Sequence, residues 1–130
     1  MPFLPVTSVW IAVFAIALFL LSFPIALHRK RARTSLGDGG DAALQRRVRA
    51  QGNFTEYVPM ALLVIGAVEA AGYDSIVVWT LGGLMAAGRL LHAWGILGDT
   101  LPPRATGMIA TFLTLVLGAG LLLWRFAQPA

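Results

Sequence analysis

The sequence predicts an all-α integral membrane protein, built as a bundle of four transmembrane helices. Of its 130 residues, 58% are hydrophobic and only 12% are charged, and the mean hydropathy is +0.76. Soluble domains are about a quarter charged, so water is a poor solvent for most of this surface. The length fits one compact domain. Any chemistry must therefore lie on the helices or in the short connections between them.

Turn-rich segments divide the single domain, residues 1–130, into helices at about residues 4–33, 41–72, 75–97 and 103–127. The apolar stretch Phe3–Leu27 is long enough to cross a bilayer. Its positive charge follows the apolar core, whereas a signal peptide carries that charge before the core. We therefore interpret it as a retained helix. The acidic residues Glu69 and Asp74, near the outer boundary, are interpreted as solvated.

The second helix is unusual because its first half is polar. Its apolar part, Val58–Gly72, makes roughly 22 Å of helix against a hydrocarbon core of about 30 Å. To cross the membrane, the helix must bring residues 53–57 to the membrane boundary. This requirement is the first indication that polar groups are buried for a purpose.

The distribution of basic residues predicts the orientation of the bundle. Seven of the ten lie between Arg29 and Arg49, and Arg104 lies in the third connection. This is the positive-inside pattern, which places the first and third connections in the cytoplasm and both termini outside. Anionic lipid accounts for this charge better than nucleic acid does, so no nucleic-acid partner is expected.

A polar stripe follows one face of the second helix: Arg46, Arg49, Asn53 and Glu56. The spacings of three, four and three residues place all four side chains on the same face. Charged groups that face lipid are costly, so the stripe should face a polar cavity or a subunit interface. It predicts a binding site for a polar, anionic ligand. Arg46 alone is better explained as an interfacial anchor.

Two further polar residues, Arg89 and His92, share a face of the third helix. Counted at 1.5 Å per residue from the outer helix ends, Arg89 lies roughly 20 Å deep, and Glu56 and His92 roughly 24 Å. We therefore predict a structural ion pair between Glu56 and Arg89, which would offset the desolvation of both. A histidine at such a position is more often a packing residue than a ligand or base.

Arg104 follows two prolines at the start of the fourth helix, where a helix N-terminus and a guanidinium together favour an anion. It can stabilise a thiolate but cannot act as a base. The alternative is that Arg104 is one more topogenic charge. The chain has no cysteine, which excludes a disulfide or a protein thiol nucleophile, and no metal site is expected.

The second helix contains RAQGNFTEYVP, residues 49–59, which resembles the second-helix signature of the MAPEG family, the membrane-associated proteins in eicosanoid and glutathione metabolism. The preceding GDGGDAALQRRV, residues 37–48, resembles its bacterial branch. Arg89-Leu90-Leu91-His92, with Gly95, is similar to its third-helix signature. The resemblance covers nearly the whole chain. It implies a homotrimer of four-helix subunits, here in a bacterial inner membrane with the termini in the periplasm.

The resemblance also implies that glutathione is the co-substrate and binds at the inner membrane face, between subunits. The roles of its binding residues fall on Arg29, Arg49, Gln51, Asn53, Glu56, Tyr57 and His92 in this sequence. Arg104 resembles the arginine that stabilises the thiolate, which makes it the catalytic candidate. The leukotriene synthase of the family has tyrosines where this chain has His92 and Ile96.

Three functions are compatible with these observations. The first is a glutathione transferase, with a further peroxidase activity, that detoxifies hydrophobic electrophiles or lipid substrates from the bilayer. The second is a non-catalytic binding or scaffold protein of the same fold, which the missing tyrosines favour. The third, a small multidrug exporter, would need a buried carboxylate in the first helix. Because Phe3–Leu27 contains no acidic residue, this third function is disfavoured.

Overall fold

The computed structural model describes residues 3–128 as four helices joined by three short connections. The helices are α1 (Pro5–Ala32), α2 (Ala42–Ala70), α3 (Ser75–Leu97) and α4 (Leu101–Ala127). No strand occurs among these residues. The all-α class is thus confirmed. The fourth helix begins at Leu101 rather than at residue 103, because the two prolines occupy its first turn, where a missing N–H costs nothing.

Within residues 3–128, three helices are long and apolar enough to cross a membrane: α1, α3 and α4. The helix α2 does not meet this description because its first half is polar, although its 29 residues reach about 44 Å. It nevertheless packs against the other three helices. The bundle is a single chain, so the homotrimer stays a prediction.

The connection between α1 and α2 is fixed by local hydrogen bonds. Asp41 caps α2, accepting from the N–H groups of Ala43 and Leu44 at 2.8 and 3.0 Å. It also pairs with Nε2 of His28 near the end of α1, at 2.8 Å. The Leu44 hydrogen bond, followed by the bond to His28, holds the pKa of the Asp41 carboxyl below its ordinary value. We call this end, with the connections at 33–41 and 98–100, the inner end.

The opposite, outer end is closed by polar contacts between helices. Both carboxylate oxygens of Glu69 accept N–H groups from the first turn of α1, from Val6 at 2.9 Å and from Thr7 at 2.7 Å. The interpretation of Glu69 as solvated was therefore wrong, because a helix N-terminus offers unpaired donors that a carboxylate can satisfy. The Tyr73 hydroxyl donates to the Leu121 carbonyl at 2.6 Å.

The core of the bundle lies between these two ends. A cluster near the outer end contains Val6, Ile65, Val68, Val78 and Leu81. A second cluster, deeper in the bundle, contains Phe14, Phe54, Val58, Ala61 and Met85. The larger of the two clefts between helix ends that bear on α4 lies at the inner end, at about 460 Å³ against about 230 Å³ at the outer end.

Glycines bring α3 and α4 into backbone contact at the inner end. A Cβ atom on Gly95 would lie 2.7 Å from the Cα atom of Arg104, and one on Gly107 would lie 2.8 Å from the Cα of His92. Neither position has room for a side chain. This close approach places the first turn of α4, with Arg104, beside the last turns of α3.

Candidate ligand cleft

The inner end contains a cleft of about 460 Å³ between α2, the end of α3 and the start of α4. Its residues come from three helices and from the connection between α3 and α4. They are Gln45, Arg46, Arg49, Asn53, His92, Gly95, Ile96, Asp99, Thr100, Leu101, Arg104 and Met108. The cleft is therefore both polar and apolar.

The structure brings together several of the residues that the sequence singled out. From α2 come Arg46, Arg49 and Asn53, whose spacing places them on one face. From α3 and α4 come His92 and Arg104. The cleft thus holds three arginines against a single carboxylate, that of Asp99. This charge balance suits an anionic ligand.

Arg89 lies beneath the cleft and is only 5% exposed. Its Nη1 donates to Oδ1 of Asn53 at 2.5 Å, and its Nη2 donates to Oγ1 of Thr111 and contacts Sδ of Met108 at 3.4 Å. The ring of Tyr57 lies 5.7 Å from the guanidinium carbon. Since Oδ1 of Asn53 is occupied by Arg89, the amide NH₂ group of Asn53 is left to face a ligand.

The predicted ion pair between Glu56 and Arg89 is not formed. Within residues 3–128 the one ion pair joins His28 to Asp41, and Glu56 is exposed. The reason is helical geometry. Asn53 and Tyr57, four residues apart, both face Arg89. Glu56 is rotated by about 100° from Tyr57, so it points away from α3. Depth counted along a helix carries no information about this rotation.

His92 is buried, at 3% exposure, with its ring against the start of α4. Its Nδ1 lies 3.0 Å from the backbone carbonyl oxygen of Arg104. A carbonyl only accepts hydrogen bonds, so Nδ1 carries the proton. Within residues 3–128, Nε2 has no hydrogen-bond partner.

The other predicted ligand residues do not line the cleft of their own chain. Gln51 donates to Oγ of Ser22 on α1, at 3.2 Å. Tyr57 packs edge-on against Phe112, with the ring centres 5.8 Å apart. Arg29 borders a separate shallow groove at the end of α1. Tyr57 thus lies beneath the cleft beside Arg89, whereas Gln51, Glu56 and Arg29 lie on other faces of the bundle.

Three polar residues that line the cleft were missed by the analysis of spacing: Gln45, Asp99 and Thr100. Asp99 lies in the connection between α3 and α4 and has a φ of 52°, a left-handed conformation that is uncommon outside glycine. The one available signal was an acidic residue in a connection otherwise expected to be basic.

A helical bundle with three helices long and apolar enough to cross a membrane is the architecture of an integral membrane protein, and three arginines line the cleft at its inner end. Comparison with known proteins is more specific. The model of the MAPEG family matches residues 7–124, and the chain therefore belongs to the MAPEG family.

Two curated relatives agree with this assignment. The "Inner membrane protein YecN" of Escherichia coli (strain K12) is 33% identical over 119 residues, which is 92% of this chain and 91% of that protein. The protein of the same name from Escherichia coli O6:H1 gives the same values. The resemblance seen in the second- and third-helix segments is thereby confirmed.

Proposed function

We propose that the protein is a membrane-bound glutathione transferase that acts on hydrophobic electrophiles from the bilayer, and that it also reduces lipid hydroperoxides. The observation that carries the proposal is the inner cleft, where Arg46, Arg49 and Arg104 surround the amide of Asn53. Small-ligand pockets commonly enclose about 300–1,000 Å³, so about 460 Å³ suits a tripeptide.

The chemistry of glutathione matches the residues that line this cleft. Its two carboxylates suit arginine, which binds a carboxylate through two parallel N–H donors. Arg46 and Arg49 lie three residues apart on α2, so each can take one carboxylate. The ammonium group needs an acceptor, and Asp99 provides a carboxylate within the same cleft.

In the proposed reaction, Arg104 stabilises the glutathione thiolate. Its guanidinium stays charged at all relevant pH values, and a cation close to sulfur favours the thiolate. The apolar side chains of Ile96, Leu101 and Met108 border the same cleft. They offer a surface to a hydrophobic acceptor that enters sideways from the bilayer. Holding thiolate and acceptor together would supply much of the acceleration.

The proposal includes a homotrimer in which glutathione lies between subunits. Glu56 and Arg29 support this arrangement because both lie outside the cleft of their own chain. Across a subunit interface, each could reach the ligand of a neighbouring subunit. We place the protein in a bacterial inner membrane, because both YecN relatives are named as inner membrane proteins. The basic residues favour cytoplasmic first and third connections, with periplasmic termini.

Arg104 provides the test of the catalytic part of the proposal. Replacing Arg104 with alanine removes the cation beside the thiolate, and losing one such electrostatic contact lowers kcat by about 10²–10³-fold. Arg104→Lys keeps the charge and should lose less. Conjugation of glutathione to a chlorodinitrobenzene and reduction of a lipid hydroperoxide are measured in detergent. An unchanged kcat in Arg104→Ala would contradict this role.

The second candidate is a non-catalytic binding or scaffold protein of the same fold. Ile96 favours it, because this residue gives the cleft no hydroxyl group. If the wild-type protein binds glutathione but turns over neither class of acceptor, the scaffold function replaces the transferase function.

A further inference from the structure

The free nitrogen of His92 is a buried feature of the cleft that the roles above leave unused. The imidazole borders the cleft and is 97% buried, since its exposure is 3%. Its Nε2 has no partner among the described residues 3–128. A buried polar atom without a hydrogen bond is costly. An atom left in this state beside a ligand cleft therefore needs an explanation.

The hydrogen bond on the other side of the ring defines what Nε2 can do. Nδ1 donates to the Arg104 carbonyl at 3.0 Å, so in the neutral ring Nε2 is an acceptor with a free lone pair. A charged ring would lie close to Arg89 and Arg104, both cations, and burial of unpaired charge is unfavourable. The resting ring is therefore neutral, and Nε2 accepts.

Three of the groups that line the cleft with His92 present hydrogen-bond donors. Arg49 and Arg104 have only N–H groups to offer, and Asn53 presents its amide NH₂. A thiol needs the opposite, an acceptor for its proton. Nε2 of His92 is such an acceptor. The carboxylate of the cleft, that of Asp99, lies in the connection beyond the end of α3.

We propose that Nε2 of His92 takes the proton from the thiol of bound glutathione, an inference that rests on the proposed function. The S–H bond breaks, its electron pair stays on sulfur, and the proton forms a new N–H bond at Nε2. The imidazolium keeps its Nδ1–H bond to the Arg104 carbonyl. When the thiolate adds to an activated double bond, the proton passes to the carbon that receives the electron pair. When it displaces a halide, the proton passes to water.

The contact with Arg104 explains how base and cation act on the same sulfur atom. The backbone of Arg104 positions the ring of His92, while the side chain of Arg104 stabilises the thiolate. The backbone contact of Gly95 with Arg104 holds the two helices at this separation. The contact between α3 and α4 at Gly95 thus positions both the imidazole of His92 and the guanidinium of Arg104.

The charged groups around His92 come from every element that packs against it. Arg89 belongs to its own helix and Arg104 to α4, while Arg46 and Arg49 reach the cleft from α2. Asp99 is the one acidic member of the cleft. All of these charged groups remain in place when only His92 is replaced, so a shift of the thiolate titration in a His92 variant comes from the loss of the imidazole.

Two substitutions of His92 test the contributions of Nδ1 and Nε2 separately. His92→Asn keeps an N–H near the position of Nδ1 and removes Nε2, whereas His92→Gln keeps an acceptor near Nε2 that cannot take up a proton. The test uses the full-length protein in detergent. It follows the ultraviolet absorbance of the bound glutathione thiolate against pH, together with kcat and the binding of S-methylglutathione, which has no thiol proton.

Both variants are expected to lower kcat about 100-fold, in the range for loss of a general base, and to shift thiolate formation to higher pH. Binding of S-methylglutathione, which has no thiol proton to give up, should fall far less than kcat does. A merely structural role would change this binding and leave the thiolate titration unaltered. An unshifted titration in both variants overturns the role of His92 alone. Absence of glutathione binding in the wild type overturns the proposed function, and this inference with it.

Discussion

Replacing Gly95 with alanine is expected to abolish ligand binding in the inner cleft. The added Cβ would lie 2.7 Å from the Cα atom of Arg104, which is backbone and cannot rotate away. The helices α3 and α4 must therefore move apart at the point where they position both Arg104 and His92. Overpacking of this kind costs about 1–3 kcal/mol of stability, and a displacement of 1 Å can cost catalysis about 10²-fold.

Gly83→Ala is the matched control for this prediction. It makes the same change on the same helix, but a Cβ at Gly83 meets nothing within 4 Å. Both variants are purified in detergent, and glutathione binding and thermal unfolding are measured. If Gly95→Ala binds glutathione as the control does, the contact between α3 and α4 does not shape the site.

Two substitutions of Asn53 are expected to affect the stability of the protein and its ligand binding differently. Asn53→Ala leaves Nη1 of the buried Arg89 without its acceptor. A hydrogen bond to a charged group is worth about 1.5–3 kcal/mol, so the variant should lose about that much stability and bind glutathione poorly. Asn53→Asp instead gives Arg89 the carboxylate that it lacks. We expect this variant to keep the wild-type stability, while its new negative charge weakens glutathione binding at least tenfold, or about 1.4 kcal/mol.

Thr55→Ala serves as the control for both variants. Thr55 is exposed on the same helix, and its hydroxyl donates to the Gly52 carbonyl at 2.8 Å. Thermal unfolding followed by circular dichroism gives the stability of each variant. Calorimetric titration gives its affinity for glutathione. A loss of stability in Asn53→Asp as large as that in Asn53→Ala would contradict the role assigned to Arg89. Unchanged glutathione binding in Asn53→Asp would contradict the anionic site.

The fold could be predicted from the sequence because apolar length and charge position determine a membrane bundle. An apolar segment as long as Phe3–Leu27 has few alternatives to a membrane-spanning helix. The polar stripe was also predictable, since the spacing of Arg46, Arg49 and Asn53 depends only on helical periodicity. These three residues line the cleft.

Contacts between helices could not be predicted in the same way, because sequence spacing gives no rotation of one helix against another. Depth alone paired Glu56 with Arg89, yet the structure turns Asn53 towards Arg89. The same limit concealed the bond of Glu69 to the first turn of α1. Asp99 was missed because its place in the cleft depends on a single residue with positive φ.

Glutathione binding at the inner cleft is measured by calorimetric titration of the purified wild-type protein. The comparison is between Arg49→Ala and Arg47→Ala, which remove the same charge from α2. Arg49 lines the cleft, whereas Arg47 faces a groove beside α1. Glu56→Ala, measured in parallel, tests the subunit interface, because loss of binding in that variant requires a contribution from outside the chain's own cleft.

We expect the wild type to bind glutathione, Arg49→Ala to lose this binding and Arg47→Ala to keep it. Absence of binding at millimolar glutathione, in a protein whose oligomer is intact, would contradict a glutathione site in the inner cleft. Equal losses in Arg49→Ala and Arg47→Ala would contradict it as well, since they would show that general positive charge, and not the cleft, attracts the ligand.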